Sequence, residues 1–346
     1  MPIPYKAYRA EFFDRQLNFK LFEAIEEPEI KMDYLTLDKT SAILPPQVDV
    51  QRGWFCQISD GHETIYQGVV ASVSQQTAST TVYLSPMNAL FDTQIYKKKS
   101  TYNKTNLEGW IAGILRENFS VHNGVDGIVE NLQGFFVTTL TATDGIALSL
   151  EDNIHSFWYD ISKKAMESAG IVIESEFNPQ SKTISAIIRG FANSPEITLE
   201  SDLPNVIDRT FTLGENYGNS NKCLLVNSEN ESQQMIFTSS DYEPPTLMAV
   251  EIITTATGKT FSETASERAA EIFKKSEFNN LIELRYRQDD CIVPQIKIGQ
   301  PCRIIRSGTV YHTVLTGIIS RSGVKTLIFG GIRIDLTKIM KLKGVI

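Results

Sequence analysis

The sequence is short of the residues on which most enzyme sites depend. Its 346 residues hold four cysteines and four histidines. Cys56, Cys223, Cys291 and Cys302 form no CxxC pair and have no histidine at zinc-ligand spacing, so no zinc site is expected. Each lies within or beside an apolar segment, where a buried free thiol is the expected state. His62, His122, His155 and His312 are scattered and read as surface or internally satisfied side chains rather than general bases. No run approaches the ~20 apolar residues of a membrane-spanning helix. The opening stretch MPIPYKAYRAEFFDRQ lacks the apolar centre of a secretory signal. There is no basic excess either. Lys and Arg number 33 against 41 Asp and Glu, a net charge of -8. That argues against a nucleic-acid-binding surface, but not against an acidic channel through which a polyanion slides without sticking. Synthesis in a reducing cytoplasm follows from the cysteine usage.

Catalytic signatures are missing in turn. His62-Glu63-Thr64-Ile65-Tyr66 begins like a zincin motif, but Tyr66 stands where the second ligand must be. Gly258-Lys259-Thr260 imitates the end of a phosphate-binding loop, with Ile253 where its first glycine belongs. No GxSxG elbow occurs. Asp289-Asp290 could serve a metal or acid-base chemistry, yet between two strands it reads as a loop. With so many acids, no glycosidase carboxylate pair can be chosen. The site expectation is therefore empty: no catalytic, cofactor-binding or metal-binding residue, and no cofactor.

What is present is a pattern used twice. PQVDV followed by GWFCQI runs from Pro46 to Ile58, and PQIKIGQPCRI runs from Pro294 to Ile304. By letters, Pro46 and Gln47 match Pro294 and Gln295, Val48 matches Ile296 and Val50 matches Ile298. Gly53, Cys56 and Ile58 then match Gly299, Cys302 and Ile304. Downstream, the turn Asp60-Gly61 answers Ser307-Gly308, and Ile65-Tyr66 answers Val310-Tyr311. Gly68-Val69-Val70 answers Gly317-Ile318-Ile319, and Thr81–Leu84 answers Thr326–Phe329. Order kept through so many segments points to one small β-module built twice. The letter match also predicts a two-residue bulge or a longer turn between Val50 and Gly53 in the first copy.

Around these copies the hydrophobic period changes. Strands are expected at Met32–Leu37, Val48–Ile58, Thr64–Ser74 and Thr80–Ser85. Lys97-Lys98-Lys99-Ser100 reads as a solvated linker. Thr105 with Glu108, and Ser149 with Asp152, are capping boxes for two helices. Trp110 falls on the apolar stripe of the first. The second carries Ile154, Phe157, Trp158, Ile161 and Ala165 and ends at Gly170. A hairpin follows, Ile171–Phe177 with Thr183–Phe191. Strands are expected at Val206–Leu213, Cys223–Val226, Met235–Thr238 and Val250–Thr254. A helix capped by Thr264 and Glu267 comes next, and Leu281–Arg287 opens the second copy.

This order, with its Asn-Lys-Cys-Leu-Leu-Val step and the closing segments IGQPCRII and VLTGIISRSGVKTLIFGGIRIDLTKI, resembles the tail hub proteins of bacteriophages and prophages. That family includes the amino-terminal structural part of siphophage tail-associated lysins. The resemblance spans nearly the whole chain and implies an α+β, multidomain fold with two similar tube-like β-barrels around an α/β insertion. Residues 1–98 would form the first barrel, 99–199 plus 229–279 the α/β region, 200–228 plus 280–340 the second barrel, and 341–346 a tail. It implies a homotrimeric baseplate hub, a virion structural protein at the tail tip made in the host cytoplasm. Three chains would present six modules in a ring and form part of the DNA channel. Partners would be the tail tube or distal tail protein and a spike, fibre or tape-measure protein, with no stable nucleic-acid binding and no membrane span. The lysins continue past the second barrel into a lytic domain, whereas Ile346 here follows Leu336 closely, so a lytic activity would have to reside on another chain or in a region missing from this sequence. Two alternatives remain open. One is a cell-wall-degrading peptidase or glycan hydrolase in residues 100–280, for instance around Cys223. The other is a glycan-binding module using Tyr96, Tyr102 or Tyr242.

Overall fold

The computed structural model describes residues 7–61, 63–96, 106–120, 132, 134–141, 154–213, 222–238, 248–256, 258–277, 280–287 and 296–331. Seven strands come first: β1 (Tyr8–Phe13), β2 (Phe19–Ile25), β3 (Ile30–Asp33), β4 (Thr40–Leu44), β5 (Phe55–Ser59), β6 (Thr64–Gln75) and β7 (Thr80–Pro86). Six of them form one sheet in the order β2-β1-β5-β6-β7-β4. Alternation fixes which face is inside. Thr40, Ala42 and Leu44 of β4 and Thr80, Val82 and Leu84 of β7 are buried, while the residues between them are more exposed. With Ala10, Phe12, Cys56, Ile58, Tyr66 and Val70 they make one core. A bridge between Glu29 and Ser41 draws the chain that leaves β2 across to β4, at the opposite edge, so the sheet curls around that core.

The middle of the chain contains β8 (Gln94–Tyr96), α1 (Leu107–Phe119), β9 (Phe135–Thr139), β10 (Ile154–Ser156), α2 (Lys163–Ala169), β11 (Ile171–Asn178) and β12 (Thr183–Gly190). β11, β12 and β9 form a three-stranded sheet, and β8 pairs with β10. Phe91, Phe119, Phe135 and Phe157 meet in a ring cluster under α1, with centroids 5.0–6.4 Å apart. Trp110 is core, as its place on the apolar stripe implied. The cap of α1 is Asn106, whose side-chain Oδ1 accepts from the Gly109 N–H at 2.8 Å. The expected start at Ser149–Asp152 lies outside the described residues. Ile154 is in a strand rather than a helix. The helical path opens with a π-turn at Phe157–Ser162, capped by Ser156, and ends at left-handed Gly170.

The remaining elements are β13 (Ile197–Glu200), β14 (Val206–Leu213), β15 (Lys222–Asn227), β16 (Gln234–Thr238), β17 (Met248–Ile253), α3 (Phe261–Glu277), β18 (Asn280–Arg287), β19 (Pro301–Arg306), β20 (Thr309–Arg321) and β21 (Val324–Phe329). A seven-stranded sheet runs β13-β19-β20-β21-β18-β14, with β3 also paired to β20. A small sheet, β16-β15-β17, carries α3 on one face through Cys223, Leu225, Ala265, Ala269 and Ile272. The α3 cap is one turn earlier than expected. Glu263 accepts from the Thr260 N–H at 2.8 Å, and Thr260 accepts from the Glu263 N–H.

The architecture is mostly β with several sheets, in keeping with an α+β class. Strand pairing departs from the expected partition in three places. β3, from residues 1–98, hydrogen-bonds to β20 in the carboxy-terminal sheet. β13, at the end of 99–199, adds in parallel to β19. β15, within 200–228, pairs only with β16 and β17 among the described strands. A short alternating strand carries no mark of which sheet it joins, so these assignments follow from the pairing.

The β3 crossing is locked by Tyr34, which follows it. Its hydroxyl accepts from the Ile173 N–H at 3.1 Å and lies 2.7 Å from the Ser162 hydroxyl, while its carbonyl accepts from Trp158 Nε1 at 3.1 Å. Burial pushes the phenol up to about 12, despite those hydrogen bonds. Arg189, buried, ties β12 onward: its guanidinium donates to Glu174 and, at 2.7 Å, to the Ile298 carbonyl. Tyr34→Phe strands the buried Ile173 N–H, which costs about 2 kcal/mol. Urea unfolding at neutral pH is expected to show that loss, and an unchanged midpoint would contradict it.

Candidate functional site: a four-strand unit built twice

The strands β4-β5-β6-β7 sit in their sheet in the order β5-β6-β7-β4. The strands β18-β19-β20-β21 sit in theirs as β19-β20-β21-β18. In both, the first strand in sequence pairs outside the last. Hydrogen bonds extend the likeness to single residues. The Gly53 N–H donates to the Val70 carbonyl at 2.8 Å, and the Gly299 N–H to the Leu315 carbonyl at 2.7 Å. The Val70 N–H returns to the Trp54 carbonyl, and the Leu315 N–H to the Gln300 carbonyl. Both glycines have positive φ, +84° and +78°. Ile58 pairs with Tyr66, and Ile304 with Tyr311. A bulge then skips Ala71 in β6 and Thr316 in β20.

This frame corrects the letter match at two points. The turn before β5 closes from the Trp54 N–H to the Gln51 carbonyl, and the turn before β19 from the Gln300 N–H to the Lys297 carbonyl. The two turns have the same length, so Val50 corresponds to Ile296, each buried, and neither the expected two-residue bulge nor a longer turn is present between Val50 and Gly53. Pro294 and Gln295, matched by letters to Pro46 and Gln47, lie outside the described residues. Gly68 corresponds to Thr313, since Cys56 pairs with Gly68 and Cys302 with Thr313. Gly317 corresponds to Ser72. Letters slide along an alternating strand, whereas a turn hydrogen bond does not.

The units differ in their flanks. β5 is flanked by antiparallel β1, and β19 by parallel β13. β3 covers the far half of β20. Gly299 also meets a neighbour: a Cβ there would lie 2.6 Å from Val172 Cγ1. At Gly53 the nearest atoms belong to the flexible Arg15 side chain.

Side chains with catalytic potential are dispersed or engaged. Cys56 and Cys302 occupy matching core positions; burial pushes the Cys302 thiol up to about 12 and the Cys56 thiol higher. Burial also raises Cys223, which faces α3. His312 is exposed, 3.3 Å from Glu196. Thr260 of the loop-like Gly258-Lys259-Thr260 is the α3 cap, and Lys259 pairs with Glu267. Among the described residues no three His, Cys, Asp or Glu converge as metal ligands. His62, His122, Tyr102, Tyr242, Asp289, Asp290 and Cys291 lie outside the described residues, as do the side chains of Tyr96 and His155. No described helix is long and apolar enough to cross a membrane.

The solvent face of the small sheet went unread in the sequence. Leu224 lies between Ile236 and Val250, and Val226 lies beside Ile252. Met248, Val250 and Ile252 of β17 are 45%, 58% and 69% exposed. Their strict alternation was legible, but the outward direction of the apolar row was not.

No protein-family model and no curated protein sequence matches the chain. Solved structures do. The 43 kDa tail protein of prophage MuSo2 from Shewanella oneidensis aligns with a TM-score of 0.58, covering 93% of this chain and 98% of its own at 12% identity. Prophage tail protein gp18 from Listeria monocytogenes EGD-e gives 0.57, covering 97% and 98% at 10% identity. A chain of the phage P2 baseplate in its activated conformation gives 0.52, covering 93% and 98% at 12% identity. At these identities the likeness is one of fold. The chain has the fold of phage and prophage tail proteins, as the resemblance in its sequence implied.

Two outcomes follow from the repeated unit. Gly299→Ala forces a left-handed alanine against Val172, a loss of about 3 kcal/mol, whereas Gly308→Ala, at positive φ but in open space, costs about 1. Denaturant unfolding of both variants checks the contrast, and equal losses would contradict it. In the thiol assay at pH 8, native protein is expected to show at most one reactive cysteine of its four, rising to four in denaturant. Two or more reactive in the native state would contradict the burial of Cys56, Cys223 and Cys302.

Proposed function

We propose that the protein is a structural hub at the tip or baseplate of a phage or prophage tail, with no enzymatic role. The observation that carries this reading is the four-strand unit built twice, with the same turn, register and bulge, inside the fold of tail proteins. A chain that presents one surface twice can bridge six-fold and three-fold assemblies. Three copies in a closed ring give six near-equivalent modules on one side and a three-fold body on the other. The tail tube or distal tail protein would dock on the six-fold side, and a spike, fibre or tape-measure protein on the three-fold side.

Each large sheet, with its flanking strands, is then one tube-like barrel. On this reading the first barrel comprises β1–β2 and β4–β7, and the second β3, β13–β14 and β18–β21, limits that the strand pairing supports. β8–β12 with α1–α2, and β15–β17 with α3, are insertions. The acidic balance suits a lumen that passes DNA without retaining it.

Gold-labelled antibody against this chain, viewed on purified particles by electron microscopy, is expected to mark the distal end of the tail. The purified protein is expected to release no fragments from peptidoglycan. Label along the tube or absent from particles would refute the hub, and glycan or peptide release would refute the non-enzymatic role.

A further inference from the structure

We propose that the open edge of β6 over Ala71–Gln75 receives a strand from a second copy of this chain, and that β17 supplies it. This deepens the ring reading above and rests on it for the presence of neighbouring copies.

Hydrogen-bond direction identifies the open groups. Along an antiparallel strand, successive residues turn their backbone groups alternately toward the partner and away. The Gln76 N–H donates to the Ser79 carbonyl at 2.8 Å, closing the β6–β7 hairpin. Counting back through the register, Ser74 and Ser72 face β7, while Gln75 and Val73 face away. β5 ends at Phe55, opposite Val69. Among the described residues, no strand pairs with Ala71–Gln75 on that side.

In the sister unit the same edge is filled. Ile318 and Ser320 turn away from β21 and meet Met32 and Ile30 of β3, and the Tyr34 N–H donates to the Thr316 carbonyl at 3.0 Å. Thr316, Gly317 and Ile318 are buried there, whereas their equivalents Ala71, Ser72 and Val73 are half-buried or exposed. Its bulge at Ala71 apart, β6 lacks the usual defences of an edge, with no charged residue and no proline between Ala71 and Gln75. β14, another edge strand, carries two charges, Asp208 and Arg209, beside its own bulge at Ile207.

The covering strand in the sister unit comes from the other half of the chain. In a ring of alternating units, the first unit's outer neighbour is the second half of the next copy. β17 is the last strand before β18, as β3 is the last before β4. One edge of β17 is held by β15, and among the described residues the other is unpaired. The Ser228 N–H donates to the Ile253 carbonyl at 2.9 Å, so Ile253, Glu251 and Ala249 turn their backbone groups to β15. Val250 and Ile252 turn theirs outward. Their exposed apolar side chains resemble those that Ile30 and Met32 of β3 bring to β20. The single charge on β17, Glu251, is held on the opposite face by Arg268.

Light scattering on the full chain, from about 1 µM to about 1 mM, is expected to show reversible association. Hydrogen exchange at the Val73, Gln75, Val250 and Ile252 amides is expected to slow as concentration rises. Gln75→Pro and Val250→Pro each remove an outward N–H and no ladder bond, and each is expected to weaken association at least tenfold with an unchanged melt. Should a proline variant fail to fold, Ser72→Lys and Val250→Lys place a charge at the same edges. Undiminished association in a folded β6-edge variant would overturn the acceptor, and in a folded β17 variant the donor. A wild-type chain that stays monomeric to about 1 mM would overturn a second copy as the occupant. The tail-tip label reports separately: marked tips together with an unaffected Gln75→Pro variant would leave the hub reading standing and remove this edge.

Discussion

One constraint organises this molecule: a long strand must change partners partway along its length. β6 and β20 each pair with one strand over their first half and run on past its end. A bulge at Ala71 or Thr316 marks the switch, and a left-handed glycine turn, Gly53 or Gly299, caps the strand that stops. Beyond that point one row of backbone groups faces outward and must find a partner or meet water. In β20 the partner is β3, drawn from the other end of the chain. Much else follows from that crossing. Tyr34 is carried into the interior, Trp158 and Ser162 gather around it, and the two large sheets are joined through the middle region rather than strung apart.

The two four-strand units are alike in backbone and unequal in surroundings, an inequality that the proposed ring of fewer chains than modules would require. Identical modules would close on themselves within one symmetry. Modules with the same turn and bulge, but flanked by antiparallel β1 in one case and parallel β13 in the other, would in the proposed assembly offer similar tops to a six-fold neighbour and different sides to one another. The remaining elements, three small sheets with three α-helices among the described residues, leave the order of the repeated four strands undisturbed.

Legibility in the sequence followed the local signals. The hairpin Ile171–Asn178 with Thr183–Gly190 was readable because alternation and a short polar loop agree. The repeat was readable because turn, Cys and Tyr recur in order. Its register was not, since Val48 and Val50 are interchangeable as letters and only the Gln51–Trp54 hydrogen bond decides between them. The α3 start was ambiguous for a similar reason. Thr260-x-x-Glu263 and Thr264-x-x-Glu267 carry the same cap pattern, and the earlier one is used. The β3 crossing is non-local, and nothing in Ile30–Asp33 names β20 as its partner. The outer face of β15–β17 was invisible because alternation marks two faces without saying which one is covered.

The most direct test of the account is the symmetry of the assembled protein. Electron cryo-microscopy of the ring, in the tail or reconstituted, measures the rotation that carries β4–β7 onto β18–β21 of the same chain. The account predicts three chains, with that rotation close to one sixth of a turn about the three-fold axis. Six chains in the ring, or the two units at different radii with no such rotation between them, would contradict it.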